Sequence, residues 1–263
     1  MYLNVNILGE FNPLAPVVSV PLFHFRGIAV SNHILMITVA TAFLLIFLPI
    51  ALRRPKLVPG GVYNLIEAIC VFLREEVVRP MLGHHTDRYI SYLWTLFFFI
   101  LTLNLFSLVP SEKIIHLVTG KENYFGGAAT ANIYVTGALA VLTFLLTHIS
   151  GIRQQGFGHY FANFAPKVPW VLTPFIYTIE IISTFVKPFA LAVRLFANMV
   201  SGHTLLATML GLIFIFKNWY VGGASVVMVV ALSVMELFVA FLQAYIFTFL
   251  SALYIGSAIA PEH

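Results

Sequence analysis

The stretch Lys187-Pro-Phe-Ala-Leu-Ala-Val-Arg-Leu-Phe-Ala-Asn-Met-Val-Ser-Gly-His-Thr-Leu-Leu206 sets an arginine in the middle of a long apolar helical run. A guanidinium keeps its proton under any reachable condition, so Arg194 cannot escape hydrocarbon by neutralising, as a buried lysine or carboxylate can. Holding it at mid-membrane costs about 3 to 17 kcal/mol depending on the reference state, and residues that bear this cost face a partner or a water-filled cavity. Arg194 therefore reads as a functional residue around which the chain is arranged.

The composition supports a membrane setting for that helix. The 263 residues are 60% hydrophobic and only 9% charged, with a mean hydropathy of +0.95. Soluble domains carry about a quarter charged residues, so an ordinary soluble domain is excluded and a multispanning membrane protein is implied. The net charge of +4 falls mostly in loops. It reflects topology and lipid contact, and no basic cluster interleaved with aromatics points to nucleic acid. Cys70 is the single cysteine, which excludes an intrachain disulfide, and it reads as a small packing residue.

Working outward to the N-terminus, residues 1–33 hold Pro13, Pro16 and Pro21 and lack the basic n-region of a cleavable signal peptide. They read as an ordered, irregular arm, in which His24 and His33 are surface or interfacial histidines in preference to proton-relay groups. Residues 34–52 form a first span of sufficient length, with Pro49 near its end. Arg53-Arg54-Pro-Lys56 follows at once and marks the inner side, which puts the N-terminus outside and the C-terminus inside. Residues 60–83 are amphipathic: Val62, Leu65, Ile66, Ile69, Phe72 and Leu73 recur at helical spacing, while Asn64, Glu67, Arg74, Glu75 and Arg79 take other faces. This helix is expected on the membrane surface or against a partner. His84-His85-Thr-Asp87 does not read as a metal site, because adjacent histidines point apart and no matching cluster follows.

Residues 89–110, interrupted by Asn104, and 131–150, with Asn132 and Thr136 at the start and His148 at the end, are further spans. Arg153 and Lys167 then fall inside, and Lys113, Lys121 and Lys217 outside, in keeping with the first span's orientation. The last two segments, 171–216 and 221–259, are too long for upright spans. Roughly 40 helical residues extend about 60 Å, twice the hydrocarbon thickness. They must tilt by about 60 degrees, far beyond the usual 20 or so. Joined by a short turn, they form an oblique antiparallel hairpin suited to the curved side of a large partner. The expected fold class is all-α integral membrane: about five membrane helical segments plus an amphipathic surface helix, in a single membrane domain over 1–263.

Glu180, Lys187, Arg194 and Ser201 recur every seven residues and form one stripe. Asn198 lies one turn beyond Arg194 on nearly the same face, whereas His203 projects almost opposite. On the returning helix Glu236 and Gln243 are seven apart, with Ser233 beside them. Taken singly, Asn198 and Gln243 read as interhelical hydrogen-bonding groups and Ser233 as bonded to its own backbone. Two carboxylates, a histidine and basic residues on two facing helices read instead as an ion path.

Arg194-Leu-Phe-Ala-Asn198-Met-Val-Ser-Gly-His203, followed by Glu236 and Leu242-Gln243-Ala-Tyr-Ile-Phe247, closely resembles subunit a of the F-type ATP synthase. Val58-Pro-Gly-Gly-Val-Tyr-Asn-Leu-Ile-Glu67 and Asn104-Leu-Phe-Ser-Leu-Val-Pro110 extend the likeness over most of the chain. The resemblance implies a non-catalytic, proton-translocating stator subunit whose tilted hairpin faces a rotating ring of c subunits. Peripheral-stalk b subunits and other synthase subunits would be further partners, with no cofactor and no metal. It implies two offset half-channels, with Arg194 as the electrostatic divider opposite a ring carboxylate. His203 and Glu236 match outer half-channel positions, where many bacterial members carry glutamate then histidine. Asn198 and Gln243 belong to the same pathway motif, and Glu180 is a candidate for the inner exit. Tyr134 stands where the family usually has asparagine, and no role is carried onto it. The implied membrane is a bacterial plasma membrane, with the mitochondrial inner membrane as the alternative.

Readings from other classes fit less well. A secondary transporter or antiporter subunit would use intramembrane Glu, Lys and His, but would show repeated halves or short broken helices. A structural anchor has no reason to bear the cost of Arg194. A stand-alone enzyme would need a nucleophile constellation or a phosphate-binding glycine loop, and the sequence has neither.

Overall fold

In lipid a spanning segment must satisfy every backbone polar group internally, which for these apolar runs means helix. The computed structural model describes residues 21–25, 28–53, 60–109, 127–162, 171–216 and 219–259. Among them, five helical stretches are long and apolar enough to cross a membrane: Asn32–Ala51, Val62–Leu108, Ile133–Gln155, Thr173–Leu212 and Trp219–Ile259. The protein is an all-α, multi-pass integral membrane protein.

A small antiparallel hairpin, β1 (Pro21–Phe25) and β2 (Ile28–Ser31), leads into α1 (Asn32–Ala51). This part of the arm was expected to be irregular, and residues 1–20 lie outside the described residues. Ser31 caps α1, its hydroxyl accepting from the Ile34 N–H at 3.5 Å. Only Asn32, His33, Met36 and Ala40 of α1 are buried, so the helix packs through one face of its first turns. Leu45, Ile46 and Ile50 remain exposed to the surroundings, as a lipid-facing helix requires.

The amphipathic segment and the second span run on from one another. α2 (Val62–Phe72) passes into a π-helical stretch, Leu73–Val78, then α3 (Arg79–Leu82), a short 3₁₀ turn, and α4 (Thr86–Leu108). Gly83, at φ 53, permits the change of direction after Leu82. A π-helical stretch rotates the faces that follow it. Here it buries Leu73, Val77 and Val78, while Arg74 binds Asp87 at 2.6 Å and Arg79 pairs with Glu75.

α5 (Ile133–Gln155) is capped by Asn132, and Gly156, at φ 81, separates it from the short α6 (Phe157–Ala162). α7 (Thr173–Phe216) and α8 (Trp219–Ile259) are the two long helices. α7 continues through Pro188 without a break. α4 is the central post: Leu93, Leu96, Phe97 and Ile100 join Leu191 and Leu195 of α7 and Ala244, Phe247, Ala252 and Ile255 of α8 in one core. Small residues let these backbones approach. A β-carbon on Gly256 of α8 would stand 2.6 Å from the Met81 carbonyl oxygen, so the α3 backbone lies directly on α8. The amphipathic segment is therefore docked along α8 at its π-helical and α3 end, while Val62, Leu65 and Val71 face outward.

Candidate functional site

α7 and α8 run antiparallel, which brings residues far apart in sequence to one level. Asn198 Nδ2 donates to Gln243 Oε1 at 2.8 Å across the pair. Gln243 is 1% exposed, and its Nε2 has no partner among the described residues. Two turns away on α8, Glu236 is 9% exposed, and neither carboxylate oxygen has a partner there. The side chain lies against α7 at Gly202, where a β-carbon would stand 2.5 Å from Glu236 Oε1. Absence of a side chain at 202 thus makes the recess that holds the carboxylate.

His203 follows Gly202 directly. It is half-buried, its Nε2 is buried without a partner among the described residues, and it forms no ion pair with Glu236. The hairpin therefore gathers His203 and Glu236 into one neighbourhood without joining them directly. Ser233 bonds its own backbone, donating to the Val229 carbonyl at 2.8 Å.

Arg194 occupies the other side of α7. Leu191, Ala192, Leu195 and Met199 are buried, while Ala190, Arg194, Ala197 and Ser201 are exposed. Arg194 makes no hydrogen bond or ion pair among the described residues, although its charge reaches Tyr254 of α8. A permanent cation on a mostly apolar helix is thus turned outward among alanine and serine side chains, leaving room for another helix to approach.

Toward the start of α7, Glu180 and Lys187 form an ion pair at 3.3 Å, as their seven-residue spacing anticipates. The Lys187 ammonium also lies 5.9 Å from the centre of the Tyr254 ring. Tyr160 of α6 meets His148 Nδ1 of α5 at 2.5 Å. Burial, reinforced by the Glu180 charge, pushes the Tyr160 phenol up to about 12, so it stays protonated at any working pH. Sequence reasoning placed Glu180 near one end of the hairpin but found no sign that Tyr160 and His148 join it there. The contact depends on α6 folding back, with Gly151 making space for the tyrosine ring.

A second group was also missed. His33 is buried, and its Nδ1 lies 3.0 Å from Asn132 Nδ2. It is thus a packed histidine and not the interfacial one expected. Asn104, fully buried, donates to the Ala240 carbonyl at 3.3 Å, one turn from Glu236, and leaves its Oδ1 unpartnered among the described residues. An asparagine interrupting a hydrocarbon span was the legible signal for Asn104. Thr130, whose hydroxyl is likewise buried and unpartnered, gave none.

Comparison with known proteins matches the chain to the ATP synthase A chain family over residues 34–256. It is 45% identical over 234 residues to "ATP synthase subunit a" of Anaeromyxobacter sp. (strain Fw109-5), covering 88% of this chain and 54% of that protein. It is 38% identical over 260 residues to "ATP synthase subunit a" of Chloroherpeton thalassium, covering 96% of this chain and 74% of the relative. "ATP synthase subunit a 2" of Chlorobium luteolum is 39% identical over 241 residues, 89% of this chain and 67% of its own. The chain therefore spans little more than half the length of the Anaeromyxobacter protein.

Proposed function

The chain belongs to the ATP synthase A chain family, and we propose that it is the proton-translocating stator subunit that couples proton flow to rotation of a c-subunit ring. The observation that carries this reading is Arg194, an exposed cation without a counter-ion among the described residues, set one turn from the half-buried Asn198–Gln243 bond. A charge so placed needs its partner on another molecule, and a carboxylate on a passing ring helix meets that need. The Arg194 charge would hold that carboxylate deprotonated while it is opposite, and would repel protons passing straight from one side to the other.

In this reading Glu236, His203, Asn198 and Gln243 line the outer half-channel. Their buried, unpartnered atoms support water between them, since polar groups at such depth are satisfied by protein or by ordered water. Because His203 and Glu236 do not pair directly, protons pass between them through that water. Glu180 lies at the inner exit, with Lys187, Tyr160 and His148 around it. The c-ring, the b subunits of a peripheral stalk and the bacterial plasma membrane, with the N-terminus outside, complete the proposal. The antiporter reading is not favoured, given family membership over residues 34–256.

Arg194 supplies the test. Arg194→Lys is expected to abolish coupled transport, because an ammonium is more strongly hydrated than a guanidinium and can lose its proton when buried. Arg194→Ala should also raise passive proton conductance in vesicles stripped of the catalytic head, while ATP synthesis in intact vesicles is lost. Normal synthesis with the alanine variant would exclude Arg194 as divider.

A further inference from the structure

The half-channel as drawn from α7 and α8 does not account for the polar groups where α1, α4 and the Ala129–Ala131 turn meet. That turn is a junction. Ala129 packs with Met36 and Ala40 of α1 and Leu103 of α4, while Ala128 and Ala131 pack on Met199, the neighbour of Asn198. His33 lies at this junction, 1% exposed, with Nδ1 3.0 Å from Asn132 Nδ2. Asn132 is also the N-cap of α5, its Oδ1 accepting from the Tyr134 N–H at 2.9 Å. The capping bond decides which end of the amide faces the histidine.

An amide NH₂ can only donate, so His33 Nδ1 must accept and the ring must carry its proton on Nε2. That Nε2–H is buried and has no partner among the described residues. Thr130 Oγ1 and Asn104 Oδ1 are buried and unpartnered in the same sense, as are Gln243 Nε2 and both Glu236 oxygens. The contacts of the turn link this set from α1 across to the hairpin. An imidazole relays a proton by taking it on one nitrogen and releasing it from the other. With Nδ1 already accepting the Asn132 N–H, this ring is a donor through Nε2 and not a relay. Among the described residues, the elements packed on that end of α1, namely β2, the Ala129–Ala131 turn and the Leu103–Phe106 turn of α4, carry no titratable group; β1 sets His24 opposite Ala29 of β2, and Tyr134 is 84% exposed.

We propose that His33 is a positioning residue of the proton path: the α5 cap holds it in the Nε2–H tautomer, and that N–H orients the water through which protons reach Glu236. This rests on the proposed function. The test uses vesicles carrying the whole synthase, scored for ATP-driven pumping and, after removal of the head, for passive proton conduction against pH. His33→Leu should lower conduction about tenfold, the scale of one lost hydrogen bond, while His33→Gln, which keeps an N–H donor, should stay close to wild type.

Asn132→Asp separates positioning from packing. Its carboxylate still caps α5, but it draws the imidazole proton to Nδ1, so conduction should gain a pH-dependent step absent from the wild type. Adding His33→Gln should remove that step. The inference is overturned by wild-type conduction in His33→Leu, by no new step in Asn132→Asp, or by a wild-type step that His33→Gln abolishes. Glu236→Gln in the same vesicles tells the two levels apart. If it slows conduction while His33→Leu does not, only the inference falls. If neither Glu236→Gln nor the Arg194 variants alter conduction, the proposed function falls.

Discussion

A β-carbon on Gly202 would stand 2.5 Å from Glu236 Oε1, closer than real contacts allow, so any larger residue there must push the carboxylate away. The recess matters because Glu236 has no hydrogen bond among the described residues to hold it elsewhere. A displacement of about 1 Å in a proton-transfer geometry can cost up to about a hundredfold in rate. Gly202→Val is therefore expected to slow ATP-driven pumping by at least about tenfold with the complex intact, and Gly202→Ala by less. Subunit content after mild solubilisation separates this from misassembly. Wild-type pumping by an assembled Gly202→Val complex would show that Glu236 tolerates displacement.

The docking of α3 on α8 is governed by another glycine, but here the obstacle is backbone. A Cβ on Gly256 meets the Met81 carbonyl oxygen at 2.6 Å, and a helix carbonyl cannot swing aside as a side chain can. Gly256→Leu should separate the two helices and destabilise the fold by about 1–3 kcal/mol or more, the range for overpacking a tight contact. The measurement is the thermal midpoint of the detergent-solubilised protein, with Gly223→Leu as control. Gly223 also lies on α8, but nothing stands within 4 Å of its Cβ position, so its substitution should leave the midpoint unchanged. Equal midpoints for the two variants would show that α3 is not seated by this contact.

Across the whole molecule, the charge asymmetry of the loops supports the proposed orientation, in which Arg53 and Arg153 face inward and the start of α5 faces outward. All three test positions, Arg53, Arg153 and Tyr134, are exposed. In a Cys70→Ala background, Arg53→Cys and Arg153→Cys should react with an impermeant thiol reagent only from the inner side, and Tyr134→Cys only from the outer. Labelling of positions 53 and 134 from the same side would overturn the proposed orientation. It would also move His33 and Asn132 to the wrong mouth for the outer half-channel.

The sequence by itself determined the class of the protein, the outline of its spans, the two overlong final helices and the exceptional status of Arg194. These follow from local properties: the length of an apolar run, the spacing of residues along one helix and the permanence of a charge. It also placed Asn198 and His203, on different faces of one helix, opposite a returning helix that carries Glu236 and Gln243, since antiparallel helices joined by a short turn must meet. Only the tertiary structure decided which of them touch. The Asn198–Gln243 bond forms, whereas Glu236 rests against Gly202 and not against His203. It likewise buried His33 against the cap of α5 and seated the end of the amphipathic segment on α8. Such contacts depend on how each helix is rotated and crossed against partners that in several cases lie more than a hundred residues away, and no local pattern encodes that rotation.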